Sequence, residues 1–159
     1  MRQRLLCLLA CALPALATPP PDARADHPRP YKGAFEFATV DVQVLSPTEV
    51  LVTGSLAGKE TILGRFDGLV LYIVDLSTET FSGSAVKRAA DGDLLFETLT
   101  GQFTATGSEG TFVVTGGTGR FSEATGGGTF TGVWTDAAMT TAHITFNGRM
   151  GLDEPEGDD

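Results

Sequence analysis

Glu97 is the carboxylate whose setting in the sequence best suits chemistry. It alternates with Leu95, Leu99 and Phe103, so in a β-strand it would lie on their apolar face. Loss of water there raises the pKa of a carboxyl group and fits it to act as a general acid or base. The plainer interpretation places Glu97 near a strand end, beside an exposed turn at Gly92, and both interpretations stay open.

His143 and Asn147 are a second candidate pair, because they share the polar face of one predicted strand. If that face lined a cavity, both side chains could contact a ligand or act in catalysis. Small barrels usually fill their interior with apolar side chains, so the simpler expectation is that this face points to solvent. Tyr72 and Trp134 are the candidates for ligand binding, as aromatic residues suited to the mouth of a pocket.

The sequence lacks the residues that metal sites, nucleophilic serine sites and nucleic-acid-binding surfaces require. The two histidines, His27 and His143, with no cysteine outside the N-terminal segment, do not make a zinc set, so we expect neither a metal nor a cofactor. No serine has a nearby His–acid arrangement that would mark a nucleophile. The formal net charge of −9 argues against nucleic acid and anionic membrane surfaces, which select clustered cations.

The first 25 residues have the pattern of an export signal. Arg2 and Arg4 precede an apolar stretch of about 12 residues, whereas a membrane span needs roughly 20. Small-residue cleavage sites end at Ala17 and at Ala25. We predict a signal peptide over 1–25, with cleavage after Ala17 as the alternative, and therefore an exported protein that is secreted or periplasmic.

Both cysteines, Cys7 and Cys11, lie in this segment, so the processed chain would contain no disulfide and no thiol. Lipidation of Cys11 is disfavoured, because the apolar stretch before it is shorter than an export signal needs. After the signal peptide we predict a flexible leader over 26–32 and a β-barrel domain over 33–150. The acidic residues at 151–159 predict a disordered tail.

From residue 33 onward the sequence alternates between apolar and polar residues and has no helical period. It predicts eight or nine short strands, at about 33–45, 49–56, 60–66, 69–76, 80–88, 93–105, 111–115, 128–135 and 140–149. The clearest turns are Asp67–Gly68 and Asp91–Gly92. The fold class is therefore all-β. A single closed antiparallel barrel with up-and-down (meander) connections is preferred to a two-sheet sandwich, because closure removes free edges.

The segment 116–126 reads Gly-Gly-Thr-Gly-Arg-Phe-Ser-Glu-Ala-Thr-Gly. It resembles the G-G-[ST]-G-x-F-x-x-A-x-G signature of the allene oxide cyclase and dirigent-like barrel superfamily. With its flanking strands it is also similar to exported bacterial proteins that have the same Thr/Gly-rich hairpins. The resemblance implies an eight-stranded antiparallel barrel that handles small apolar or phenolic molecules, and it carries over no catalytic residue.

The motif itself predicts a structural corner between two strands. Its glycines allow positive φ, and its apolar residues would pack beneath the loop. The positions concerned are Gly116, Gly117, Gly119, Phe121, Ala124 and Gly126.

Three functions follow as hypotheses. The first is a barrel that binds a small apolar molecule without turnover. The alternatives are a cyclase, isomerase or dirigent-like enzyme, and a structural or interaction module of the cell envelope. Assembly into a homo-oligomer is a further hypothesis. The first strand has phenylalanines on one face and Val40, Val42 and Val44 on the other, a pattern typical of a strand that is buried on both sides.

Overall fold

The computed structural model describes residues 27–152, which form a closed barrel of eight antiparallel strands that follow one another in chain order. The strands are β1 (Arg29–Ser46), β2 (Glu49–Glu60), β3 (Gly64–Asp75), β4 (Thr80–Ala89), β5 (Leu94–Thr104), β6 (Gly107–Gly117), β7 (Thr125–Trp134) and β8 (Thr141–Gly151). β8 closes the barrel by pairing with β1. The predicted all-β closed meander is confirmed. The predicted signal peptide (1–25), which contains both cysteines, and residues 153–159 of the predicted tail lie outside the described residues.

Alternating residue types build the barrel wall. Along β4, Phe81, Ala85, Lys87 and Ala89 are buried, whereas the residues between them are exposed or half-buried. A strand that alternates in this way buries one face against the core and leaves the other to solvent. All the strands direct such a face inward, so the core and any internal site lie inside the barrel.

One of the two clearest predicted turns is wrong. Asp67–Gly68 lies within β3, so the single strand Gly64–Asp75 takes the place of the two predicted on either side of this turn, at 60–66 and 69–76. The strand predicted at 49–56 continues to Glu60. A Cβ at Gly68 would collide with the Val86 carbonyl of β4, so this glycine permits close strand approach and makes no turn. The Asp91–Gly92 turn is confirmed, with Gly92 at φ +96°.

β1 begins at Arg29, earlier than predicted, because Tyr31 is fully buried in the core. The C-terminal part of β1, beyond Ala38, is not covered by another element on its outer face. Pairing with β8 ends at Ala38, and beyond it Val40, Val42 and Val44 are 63%, 53% and 77% exposed. In the single chain this part of β1 is therefore open to solvent, and self-association stays a prediction. No helix among residues 27–152 is long and apolar enough to cross a membrane.

The connections lie alternately at two ends of the barrel. At the end that we call the cap, the loops 61–63 and 118–124 place Leu63, Phe121 and Ala124 in the core. At the opposite end, which we call the mouth, the half-buried rings of Phe103 and Trp134 pack against each other with centroids 5.9 Å apart. The cap is thus sealed by apolar side chains, and the mouth is lined with aromatic ones.

The 116–126 segment forms much of the cap. Gly116 and Gly119 have φ values of +119° and +53°, a region that disfavours any residue with a Cβ. Gly117 has no positive φ, but a Cβ there would crowd the side chain of Phe121. A short 3₁₀ turn (Gly119–Phe121) places Phe121 in the core with no exposed surface, and Ala124 is also buried.

Candidate functional site

Four buried polar side chains meet inside the barrel near the cap. They are Tyr31 of β1, Glu60 of β2, Lys87 of β4 and Glu97 of β5, each 5% exposed or less. We call this group the ionic cluster. Each member lies on the inward face of its strand, so the barrel wall itself directs it into the interior.

Glu97 is held by two partners. The Tyr31 hydroxyl donates to its Oε1 at 2.6 Å, and Lys87 Nζ lies 2.9 Å from its Oε2. Lys87 Nζ also donates to the Tyr31 hydroxyl oxygen at 3.0 Å, which closes a triangle of hydrogen bonds. Burial and the Glu97 carboxylate hold the pKa of Tyr31 far above its usual value, so Tyr31 stays protonated and acts as a donor.

Glu60 is incompletely paired. Its Oε1 accepts a hydrogen bond from the Leu63 backbone at 3.3 Å, but its buried Oε2 accepts none and lies 3.6 Å from Lys87 Nζ. That separation is an ion-pair contact too long for a hydrogen bond. Burial raises the pKa of Glu60 to about 7, against the lowering effect of the Lys87 ammonium. Near neutral pH, Glu60 therefore exists in both protonation states.

The Lys87 ammonium is enclosed by aromatic rings. Its Nζ lies 4.5 Å from the ring centroid of Phe146, 5.2 Å from that of Phe66 and 5.5 Å from that of Phe35. The negative face of an aromatic ring attracts a cation, and it does so more strongly where water is excluded. The interior of the barrel thus stabilises a positive charge by both carboxylates and rings.

A cavity of about 90 Å³ lies inside the barrel, between the ionic cluster and the mouth. Lys87 and Glu97 line its inner end, and Ser108 contributes a hydroxyl. The rest of the lining is apolar and mostly aromatic, and includes Phe37, Tyr72, Phe81, Phe112, Phe130 and Trp134. A mostly apolar cavity with a few placed polar groups is the usual form of a small-molecule site.

The structure separates the residues that sequence analysis selected. Glu97 belongs to the ionic cluster, and Tyr72 and Trp134 line the same cavity. Burial raises the pKa of Tyr72 to about 12. His143 and Asn147 lie on the outer face, where His143 Nδ1 lies 2.6 Å from the Glu36 carboxylate and its side chain is 48% exposed. The cavity therefore contains three of the five candidates, and their roles stay predictions.

The partners of Glu97 were not predicted from the sequence. Lys87 follows Phe81, Gly83 and Ala85 on the inward face of β4, which is the same signal that selected Glu97: an ionisable residue in an apolar row. Glu60 likewise continues the inward row of β2 that contains Leu56, but that strand was predicted to end at 56 and the next one to begin at 60. Tyr31 could not be recognised as an inward residue, because it lies in the predicted leader (26–32), where no strand was expected.

The raised pKa of Glu60 predicts how the stability depends on pH. The folded protein holds a proton on Glu60 between its ordinary pKa of 4.5 and about 7, where the unfolded chain has released it. The resulting stabilisation is present below pH 4.5 and is lost as the pH rises to 7, by roughly 3 kcal/mol. Glu60→Gln cannot titrate, so urea unfolding of both proteins across this range should show the wild type losing stability relative to the variant. Parallel curves would contradict the prediction.

Comparison with known proteins supports a likeness of fold. A pterocarpan synthase dirigent protein superposes with a TM-score of 0.52 and 14% identity, over 90% of this chain and 100% of that one. A second pterocarpan synthase dirigent protein gives a TM-score of 0.49 and 14% identity, over 79% and 97%. No family model and no curated protein matches the chain. The predicted likeness to dirigent barrels is confirmed for the fold. Within residues 27–152, no group of three or more His, Cys, Asp or Glu side chains could hold a metal ion.

Proposed function

We propose that this protein is exported and binds a small, largely aromatic molecule in the barrel cavity, without turnover. The observation that carries the proposal is the cavity itself: a space of about 90 Å³ with aromatic walls and a buried charged group at one end. A barrel that served only as a structural module could fill this space with side chains, as small barrels commonly do.

The size of the cavity limits the ligand. Drug-sized ligands usually occupy about 300–1,000 Å³, whereas an empty cavity of about 150 Å³ suffices for benzene. At about 90 Å³ the cavity is smaller than that, so a molecule with one aromatic ring is the upper limit and enters only if the lining moves outward slightly. A larger ligand would require Phe103, Phe130 and Trp134 to turn aside, and all three are half-buried at the mouth, where such movement is easiest.

Export rests on the N-terminal sequence pattern, and the fold is compatible with it. Cleavage after Ala25 would leave β1 whole, because that strand begins at Arg29. The barrel would then have no cysteine and would depend on packing and strand pairing alone, which suits an oxidising compartment.

Mass spectrometry of the protein purified from its natural source tests both parts. The intact mass should correspond to a chain that starts at residue 26, and mild denaturation should release a small aromatic molecule in a fixed ratio to protein. A chain that keeps its first 25 residues would contradict export. If no molecule is released and single-ring compounds do not bind, the binding proposal is wrong and a structural or interaction module is favoured.

A dirigent-like or cyclase reaction is the second candidate function. One observation favours it: Lys87 and Glu97 line the cavity, and Tyr31 is hydrogen-bonded to both. An ammonium, a carboxylate and a phenol at one point can move protons on a bound substrate. Incubation of the released molecule with the wild type and with Glu97→Gln distinguishes the two. An enzyme would convert the molecule only when Glu97 is present, whereas a binding barrel would return it unchanged in both cases.

A further inference from the structure

The ionic cluster is one positive charge short of balance. When both carboxylates are ionised, Glu60 and Glu97 carry two negative charges against the single Lys87 ammonium, and Tyr31 is neutral. No other charged side chain within residues 27–152 is buried. A buried charge without a counter-charge is costly, so the cluster favours the arrival of one further positive charge.

The ionic cluster also has fewer hydrogen-bond donors than its carboxylate oxygens can accept. The Lys87 ammonium can donate three hydrogen bonds, and its neighbours are Tyr31, Glu97 and, at 3.6 Å, Glu60. Each ionised carboxylate can accept about four. The Oε2 of Glu60, whose side chain has no exposed surface, accepts none. One additional ammonium would supply both the missing charge and the missing donors.

The cavity gives such a cation access to the cluster. Glu97 lines its inner end beside Lys87, and the walls are aromatic. The four rings around Lys87 already show that this interior holds a cation by its ring faces. A ligand that enters from the mouth would therefore meet aromatic faces first and a carboxylate last.

We infer that the cavity is built for an aromatic molecule that carries a protonated primary amine. This inference rests on the proposed function and names its ligand class. The amine donates to Glu97, and Lys87 moves the short distance onto the free Oε2 of Glu60. Each carboxylate then has its own ammonium, and the two cations are separated by negative charge. A carboxylate-bearing ligand would instead add a third negative charge, and a neutral one would leave the balance to a proton on Glu60.

Calorimetric titration of the wild type at pH 8 with 2-phenylethylamine and with 2-phenylethanol tests the inference. The two compounds have the same ring and chain length, and the amine remains protonated at this pH. We expect the amine to bind about tenfold more tightly than the alcohol. Equal affinities, or tighter binding of the alcohol, would overturn the inference while leaving the proposed aromatic cavity intact. No binding of either compound would overturn both.

Two variants show whether the cluster causes the preference. Glu60→Gln balances the cluster without a ligand, so the ratio of amine to alcohol affinity should fall to about one. Glu36→Gln removes the same charge from the outer surface, where Glu36 is 64% exposed, and should leave the ratio unchanged. A ratio that is unchanged in Glu60→Gln, or lowered equally in both variants, would overturn the assignment.

The wild type alone provides a second measurement if Glu60→Gln does not fold. At pH 6 a proton on Glu60 already balances the cluster, so the amine must displace it. The ratio of amine to alcohol affinity should therefore be several-fold higher at pH 8 than at pH 6. A ratio that stays constant or falls as the pH rises would overturn the inference.

Discussion

Replacement of Lys87 by methionine is expected to lower the free energy of unfolding by about 3–5 kcal/mol at pH 8. The substitution keeps an unbranched side chain within the rings of Phe66 and Phe146 but removes the ammonium. Glu60 and Glu97 are then left as two buried carboxylates without a counter-charge. Breaking a buried ion pair from one side costs more than the pair itself contributes, because the remaining charge has no water. Urea unfolding at pH 8 measures the loss.

The dependence on pH identifies the cause of this loss. Glu60, whose pKa burial raises to about 7, takes up a proton at pH 5, so the deficit of Lys87→Met should be smaller there than at pH 8. The double variant Lys87→Met, Glu60→Gln should recover part of the stability at pH 8. Lys59→Met removes an exposed lysine and should change the stability by about 0.5 kcal/mol or less. A deficit in Lys87→Met that is the same at both pH values would show that lost packing, and not charge, is responsible.

Replacement of Phe121 by alanine is expected to cost about 3–5 kcal/mol of stability. Phe121 is fully buried, belongs to the main core and is the ring with which the 116–126 corner seals the cap. Its removal leaves a void that the surrounding loop cannot readily fill, because backbone hydrogen bonds hold the loop in place, among them that from Thr118 N–H to the Leu94 carbonyl at 2.8 Å. Phe103→Ala, which truncates a half-buried ring at the mouth, is the matched control and should cost distinctly less. Equal losses would mean that the cap does not depend on Phe121.

The barrel could be predicted from sequence because its signals are local and repeated. Alternation of apolar and polar residues appears in every strand, and the 116–126 motif adds a resemblance to a known barrel. Strand boundaries were less accessible, because a glycine signals either a turn or a close approach of two strands. Asp67–Gly68 has the composition of a hairpin turn, yet Gly68 lies in mid-strand opposite Leu56. Only the partner strand decides between these two roles.

The site could be predicted only in part, because only some of its signals are local in the sequence. Glu97 was recognised because it interrupts an apolar row on its own strand. Its partners lie elsewhere in the sequence. Lys87 is 10 residues away on the paired strand β4, whereas Tyr31 is 66 residues away and comes within hydrogen-bonding distance only because the barrel closes. His143 was a candidate because it shares the polar face of its strand with Asn147, but the direction of both side chains depends on which face of β8 is inward. The inward residues are Ala142, Ile144 and Phe146. The polar face with His143 therefore points to solvent, which was the simpler of the two expectations.

Buried charge also links the site to the fold. The ionic cluster lies next to the cap, so the same region that closes the barrel holds the polar end of the cavity. The remaining wall toward the mouth is mostly apolar and aromatic, with the Ser108 hydroxyl as an uncharged polar group. This arrangement gives the cavity two distinct ends, and a ligand with an aromatic body and a polar head would have one preferred orientation.

Fluorescence titration of Trp134 with 2-phenylethanol tests the central claim, binding inside the barrel, most directly. Trp134 is the only tryptophan of the chain and lines the cavity. The wild type should show a saturable change in emission. Ala85→Leu, which fills part of the cavity, should abolish the change, whereas Ser84→Leu places the same side chain on the outer face and should retain it. A wild type without response, or an Ala85→Leu variant that responds as the wild type does, would contradict binding in the cavity.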